Sequence, residues 1–295
     1  MKKIFALLCS AFFVFAATSC QQKAQKLLLA GSGWNKIVII DKNTKQIEWE
    51  HPIQKGWECN SAVATPDGNI LFAYKKGAKL ITRDQKELWN IPAPDTCEMQ
   101  TARLLPDGNY LLAWCGHPAK IMEVSPKGDI LSETVYETGI ENPHAQFRQV
   151  NKNKAGNYLM PLFATSEVRE ISPAGELVKT TTLEGTPYST VLLNNGNYMV
   201  ACGDGHSLME VNLDKGEVVR KIGATDIDGV SLFFVAQLLP TSNNGLYICN
   251  WQGHDPSAKE SNNPQLMEID GNNKVVWSLN DNDTFGMISS VSTID

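Results

Sequence analysis

Short runs of branched and aromatic residues, bounded by Gly, Asp, Asn or Pro, recur from about residue 26 to the end of the chain. No stretch carries apolar residues at the spacing of an amphipathic helix, so the pattern reads as β-strands joined by tight turns. The runs also repeat. TPDGNILFAY (Thr65 to Tyr74) returns as LPDGNYLLAW (Leu105 to Trp114), KAGNYLMPLF (Lys154 to Phe163), NNGNYMVACG (Asn194 to Gly203) and SNNGLYICNW (Ser242 to Trp251). Their turn glycines, Gly68, Gly108, Gly156, Gly196 and Gly245, are spaced by 40, 48, 40 and 49 residues. A second phrase lies between them: IVIIDKNTKQIEW, LITRDQKELW, IMEVSPKGDIL, VREISPAGELV, LMEVNLDKGEVV and LMEIDGNNKVVW.

Each repeat therefore predicts four antiparallel strands, a to d, which is the blade of an all-β propeller. The ends set the blade number. Lys26 to Pro52 holds three strands without a first one, and Met287 to Ile294 is one strand left over. Joined, they make one blade from both termini, which closes the ring and removes two open edges. With five complete repeats, the expectation is a six-bladed β-propeller whose first blade is closed by the C-terminal strand.

The segment ahead of the repeats has a different character. Met1-Lys2-Lys3 precedes an apolar run from Ile4 to Ala17, too short to span a bilayer and suited to the core of a secretory signal. Ala17-Thr18-Ser19-Cys20 resembles the lipobox of bacterial lipoproteins, which implies cleavage before Cys20 and lipidation of that cysteine. Ordinary cleavage near Ala17 is the alternative. The expected organisation is a signal peptide over residues 1–19, a tether over 20–25, and one propeller domain over 26–295. The protein is then exported and anchored in the cell envelope, touching the membrane through its lipid alone.

Composition narrows the partners. The chain has 295 residues and a net charge of −6, and removal of Lys2 and Lys3 with the signal leaves it more acidic still. With no basic patch to meet phosphates, nucleic acid is excluded as the main partner. Small molecules, glycans and other envelope proteins remain.

Propeller topology decides which residues can meet. The a–b and c–d turns share one face and carry uniform turn chemistry. The b–c and d–a loops share the other face and hold Gly33-Trp34-Asn35, Trp57-Glu58-Cys59, Trp114-Cys115-Gly116-His117, Asn142-Pro143-His144, Gly203-Asp204-Gly205-His206 and Trp251-Gln252-Gly253-His254. Four of the five histidines fall there; His51 closes a d strand and reads as structural. Large apolar residues in loops suit binding, or else cap the blades beneath. Aligned on the turn glycines, Glu58, Glu98, Gln146 and Thr186 occupy one level of the a strands, and Asn60, Gln100, Arg148 and Tyr188 the next. On an alternating strand, His144, Gln146 and Arg148 project together at the channel mouth. Arg148 could grip an oxyanion and His144 transfer protons or act as nucleophile; alternatively Arg148 pairs structurally with Glu58 or Glu98. The candidate ligand-binding set is Trp57, Glu58, Glu98, Gln100, Trp114, His117, Gln146, Tyr188, His206 and Trp251. The b–c loop from Gln252 to Gln265 is a candidate lid.

Cys59 and Cys97 fall near the starts of neighbouring a strands, where a disulfide is one option in an oxidising compartment. No CxxC, HExxH, P-loop, GxSxG or dinucleotide fingerprint is present, and a metal site from His117, His206, His254 and a cysteine is specified by no spacing. No metal or cofactor is expected.

DKNTKQIEW, DQKELW and NNKVVW, each ending in a d-strand tryptophan (Trp49, Trp89, Trp277), resemble the repeat of quinoprotein-like (PQQ-like) propellers, in which the tryptophan locks neighbouring blades. Six blades and three such tryptophans differ from the cofactor-binding enzymes, so bound quinone is not expected. NPHAQFRQV (Asn142 to Val150) is similar to the histidine strands of the six-bladed bacterial arylsulfotransferases. That resemblance implies His144 or His254 as nucleophile and Arg148 as oxyanion clamp. Three readings result, in this order: a non-catalytic binding propeller, a sulfuryl-transferring enzyme, and a scaffold for envelope assembly. A deep polar mouth with His144 beside Arg148 favours chemistry; a flat face of exposed tryptophans favours a protein partner.

Overall fold

The computed structural model describes residues 25–255 and 262–294. Cys20, the signal segment and most of the tether lie outside the described residues, as do residues 256–261 of the candidate lid. Among the described residues, six four-stranded antiparallel sheets stand in a ring. Ser290–Ile294 supplies the inner strand of the first blade beside Lys26–Ala30, with Leu28 opposite Ser292, so the chain ends close the ring as expected. No described helix is long and apolar enough to cross a membrane.

Burial follows strand position. Tyr110–Cys115, a b strand, is buried at every residue, whereas the d strand Glu217–Ile222 is exposed at all but Ile222. The apolar content of strands b and c thus packs between blades, and the d strands form the rim.

Among the described residues, a closed inner ring of hydrogen bonds, and an outer set at five of the six junctions, join the blades. The inner one is built from short polar side chains of the a strands. The Ser290 hydroxyl accepts from Ala62 N (3.1 Å), Ser61 Oγ donates to Ala102 O (2.8 Å), and Thr101 Oγ1 donates to Arg148 O (2.8 Å). Asn151 Nδ2 then donates to Thr190 O (3.1 Å), Ser189 Oγ to Ala236 O (3.1 Å), and Gln237 Nε2 to Val291 O (3.0 Å), crossing all six junctions. The outer set uses the tryptophans singled out by the repeat. Trp49, Trp89 and Trp277 donate Nε1–H to the carbonyls of Arg83 (2.7 Å), Pro126 (3.1 Å) and Lys42 (2.9 Å), each in the c–d turn of the next blade. Where the tryptophan is missing, Thr134 Oγ1 donates to Pro173 O (2.8 Å) and Lys179 Nζ to Asp214 O. The turn beneath Trp89 requires glycine: Gly128 has φ +91°, and a Cβ there would lie 2.9 Å from the indole.

One element departs from expectation. The a strand of the fourth blade is only Asn151–Lys152, and the stretch before it turns through a short 3₁₀ helix, Pro143–Ala145. Pro143 starts that turn, and the Asn142 side chain caps it by accepting from His144 N. His144, Gln146 and Arg148 therefore do not alternate along a strand.

Candidate functional site

The b–c and d–a loops of the six blades meet around the axis, and there they enclose a cavity of about 300 Å³. Glu58 and Asn60 come from the loop into the second blade, His144, Ala145 and Arg148 from the loop into the fourth, and Tyr188 from that into the fifth. Phe163, Asp204, His254 and Trp251 come from b–c loops or the strand ends beside them, and Phe234 opens the last a strand. The cavity sits over a plug that closes the axis. Gln149 Nε2 donates to Asn60 O (2.7 Å) and Gln237 Oε1 (3.1 Å), and Arg103 Nη1 donates to Gln149 Oε1 (3.0 Å). Ser289 Oγ donates to Asn60 Oδ1 (2.8 Å), and both residues line the cavity.

The polar end is organised by Arg148, whose side chain is only 7% exposed. Its Nη1 donates to the carbonyls of His144 (2.9 Å) and Phe147 (3.0 Å), and its guanidinium lies 4.8 Å from the centre of the Phe163 ring. Nη2 sits 3.0 Å from His144 Nε2. A guanidinium can only donate, so Nε2 accepts and Nδ1 carries the proton that goes to Glu98 Oε2 at 2.8 Å. Lys75 Nζ holds the other Glu98 oxygen at 2.9 Å. Burial works to raise the Glu98 pKa, but the hydrogen bonds and charges of His144 and Lys75 outweigh it and hold the carboxyl at about 2. Arg148 also approaches Glu58, with Nε 3.9 Å from Oε2, beyond hydrogen-bond range. Glu58 instead accepts from Asn60 Nδ2 at 3.0 Å.

A second histidine–carboxylate pair stands at the rim, where His254 Nδ1 meets Asp204 Oδ1 at 2.8 Å. His254 sets its ring edge-to-face against Trp251 and Phe234, with centroids 4.9 and 5.3 Å apart. Tyr188 completes the apolar wall, stacked on Phe163 at 5.8 Å and edge-on to Phe234 at 5.6 Å. Its hydroxyl is buried and makes no hydrogen bond of standard geometry, although Ser289 lies near enough to hydrogen-bond its ionised form. Burial is the largest influence on this phenol and pushes its pKa up, so the group remains a donor at neutral pH.

Of the expected residues, Glu58, His144, Arg148, Tyr188, Trp251 and His254 line the cavity, with Glu98 bonded behind His144 and Gln100 bonded to Glu98 and Asn60. The others lie elsewhere. Gln146 is fully buried and fastened to the main chain of Gly116 and Ile140, because the 3₁₀ turn points it away from the axis. Trp57 stacks on Tyr74 at 4.9 Å, and Trp114 packs between blades under Lys120. His117 is tied by Nε2 to Glu141 O (2.7 Å), and His206 by Nδ1 to Phe233 O (2.8 Å). Among the described residues, no three His, Cys, Asp or Glu side chains converge as a metal site. Cys59 and Cys97 are not bridged; both thiols are free and buried. His51 stacks on Trp49 in its d strand, as the structural reading expects. Phe163 and Phe234 were not singled out from sequence, and Asp204 was named only as part of its loop segment. Phe163 had a signal, since it directly follows Leu162, the residue that aligns with Trp114 and Trp251 when the phrases are matched on their turn glycines.

A family model described as Mal s 1 allergenic protein-like matches residues 21–274. A crystal structure of a protein of unknown function from Bacteroides caccae is 63% identical, with a TM-score of 0.91 over 92% of this chain and 99% of that one. Virginiamycin B lyase from Staphylococcus aureus is 13% identical, with a TM-score of 0.59 over 88% of this chain and 82% of that one. A chain of a nidogen/laminin complex is 11% identical, with a TM-score of 0.64 over 91% of this chain and 98% of that one. At such identities the last two show the propeller fold alone. No curated protein matches the sequence.

Proposed function

The chain belongs to the Mal s 1 allergenic protein-like family, and on that footing we propose that it binds a small molecule in the channel-mouth cavity without transforming it, while held at the cell envelope by a lipid on Cys20. The observation that carries the binding reading is the Tyr188 hydroxyl. It is buried in the cavity wall with no hydrogen bond of standard geometry and only Ser289 nearby, and a buried polar group left unsatisfied costs about 1–3 kcal/mol, so it favours a ligand acceptor. A volume of about 300 Å³ with aromatic walls and a few polar groups suits a metabolite-sized ligand. Trp34 and Trp114 are buried and Trp57 is stacked on Tyr74, which removes the flat aromatic face that a scaffold would offer a protein partner.

The binding reading is tested by a thermal-shift screen of a diverse fragment set against the mature chain, repeated with Tyr188→Phe and Trp251→Ala. Fragments that stabilise wild type and lose their effect in both variants are expected. An absence of hits, or hits indifferent to both substitutions, overturns it. Anchoring is tested by mass spectrometry of the mature N-terminus, where a diacylglyceryl adduct on Cys20 is expected and an unmodified chain cleaved near Ala17 refutes it.

Sulfuryl transfer is the second reading, favoured by one observation: Glu98 orients His144 so that Nε2 carries a lone pair. Attack on an aryl sulfate would form an N–S bond and break the aryl S–O bond, releasing the phenolate. Arg148 already occupies that lone pair at 3.0 Å, which is why this reading stands second. Intact mass after incubation with 4-nitrophenyl sulfate decides it: a sulfo adduct lost in His144→Ala or His254→Ala establishes the enzyme, and an intact donor with no adduct sinks it.

A further inference from the structure

The charges around the cavity select among small molecules. Arg148 and Glu58 both line it with their side chains 7% and 23% exposed, yet Nε and Oε2 stand 3.9 Å apart, a pair brought close and left open. Glu98 and Lys75 compensate each other behind His144, so they add no net charge to the cavity. Asp204 adds a second carboxylate at the rim, held by His254. A simple anion would satisfy Arg148 and the Tyr188 hydroxyl but would be forced against Glu58. A simple cation would satisfy Glu58 but would face Arg148 and leave Tyr188 unpartnered. A ligand with adjacent opposite charges satisfies all three groups at once, because Arg148 and Glu58, too far apart to bond each other directly, each gain a hydrogen-bonded charge partner. The remaining wall is Phe163, Phe234 and Trp251, which suits a flat apolar group.

We propose that the cavity takes an α-amino acid with an aromatic side chain: its carboxylate lies between Arg148 and the Tyr188 hydroxyl, its ammonium meets Glu58, and its ring lies against the aromatic wall. This identification rests on the small-molecule binding reading and narrows it to one class. Asp204 and His254 at the rim then stand on the open side of the ligand, where they contact whatever group extends beyond the amino acid.

Calorimetric titration of the mature chain at neutral pH tests this with four probes: L-phenylalanine, L-tryptophan, phenylpropionate, which lacks the ammonium, and phenethylamine, which lacks the carboxylate. At least one amino acid is expected to bind about tenfold or more tighter than either truncated probe, since each deletion removes the ligand's partner for Arg148 or for Glu58. Glu58→Gln, which keeps the size of the side chain, should weaken the amino acid about tenfold and leave phenylpropionate unchanged or tighter. Equal affinity for phenylpropionate makes the cavity an anion site, equal affinity for phenethylamine makes it an amine site, and either result overturns the proposal. Binding of none of the four also overturns it. The fragment screen separates the two levels: hits sensitive to Tyr188→Phe and Trp251→Ala alongside four silent probes refute the amino acid alone, whereas no hits at all refute the binding reading beneath it.

Discussion

Replacing Tyr188 with phenylalanine should make the protein more stable and a worse binder. The ring is 3% exposed, stacked on Phe163 and edge-on to Phe234, and phenylalanine preserves those contacts. What disappears is a buried hydroxyl that makes no hydrogen bond of standard geometry. In the unfolded chain that hydroxyl is solvated by water, so folding strips it of hydrogen bonds and returns none. Removing it lifts a penalty of about 1–3 kcal/mol, offset in part by the small void left where the oxygen was. A net gain of about 1–2 kcal/mol is expected, which for a chain of this size raises the melting midpoint by roughly 2–6 °C. Urea denaturation of wild type and variant without ligand measures the gain, provided the slopes agree. Ligands that bring an acceptor to this position should bind the variant about 10–100-fold more weakly, the worth of a hydrogen bond to a charged group. A variant that is equally stable or less stable refutes the reasoning, because it shows that the hydroxyl is already satisfied in the unliganded protein.

Four further outcomes follow from other contacts. Glu98 is held at about 2 against an ordinary 4.5, so its folded value lies below its unfolded one and its contribution is present above about pH 4.5 and lost as pH falls toward 2. For this part-exposed cluster the contribution is about 1–2 kcal/mol after solvent screening, and wild type should lose its advantage over Glu98→Gln progressively in urea melts from about pH 5 to about pH 2. Gly128→Ala should cost about 2–4 kcal/mol, from its positive φ and the indole 2.9 Å from the new Cβ, while Gly108→Ala, with a φ of +87° and nothing within 4 Å, should cost about 1–2 kcal/mol; equal losses in denaturation would refute the packing argument. Trp89→Phe keeps most of the ring but deletes the bond to Pro126 O, and should cost about 0.5–1.5 kcal/mol by the same assay. Cys59, Cys115 and Cys202 are buried, and burial pushes each thiol up to about 12, so maleimide should label them only after unfolding, as intact mass would show.

The ring of blades was legible because its determinants repeat. A Gly-Asn turn between two apolar runs recurs in nearly the same form, and the unmatched strands at Lys26 and Ser290 specify the closure. The tryptophan locks were legible for the same reason, through a residue type rare enough to notice. Ser61, Thr101 and Ser189 join the blades just as directly, yet small hydroxyl residues at strand starts carry no distinctive pattern. At the site, topology placed His144, Arg148, Tyr188, Trp251 and His254 on one face, and they do share one cavity. Register then failed where local chemistry overrode the repeat. Counting back from Gly156 treats His144 to Arg148 as strand, but Pro143 and the Asn142 cap bend the chain, so Gln146 turns inward to the main chain while Arg148 still reaches the mouth. Trp57 and Trp114 lie outside the cavity for another reason: a loop tryptophan can face solvent or cap the blade beneath, both of which the sequence left open, and only the packing around Tyr74 and Lys120 decides.

That same bend explains how a repeat architecture can make one asymmetric site. In a regular blade, the a strand spends its side chains on the inner hydrogen-bond ring and leaves little to project at the mouth. The fourth blade shortens its a strand to Asn151–Lys152 and still closes its junctions, with Thr101 Oγ1 bonded to Arg148 O on one side and Asn151 to Thr190 O on the other. The residues released from the strand are free for other geometry. His144 reaches back to Glu98 in the third blade, and Arg148 folds over its own loop, bonding the carbonyls of His144 and Phe147 and stacking on Phe163. The Thr101 bond holds the backbone of Arg148 while its side chain lines the cavity, so the residue with the strongest charge at the site is fixed to the rigid inner ring. Binding there loses little conformational entropy, because the guanidinium is already ordered before a ligand arrives. A single proline-led turn thus makes one of six equivalent positions the source of the cavity's buried cation, while other blades supply Glu58, Asp204 and most of the aromatic wall.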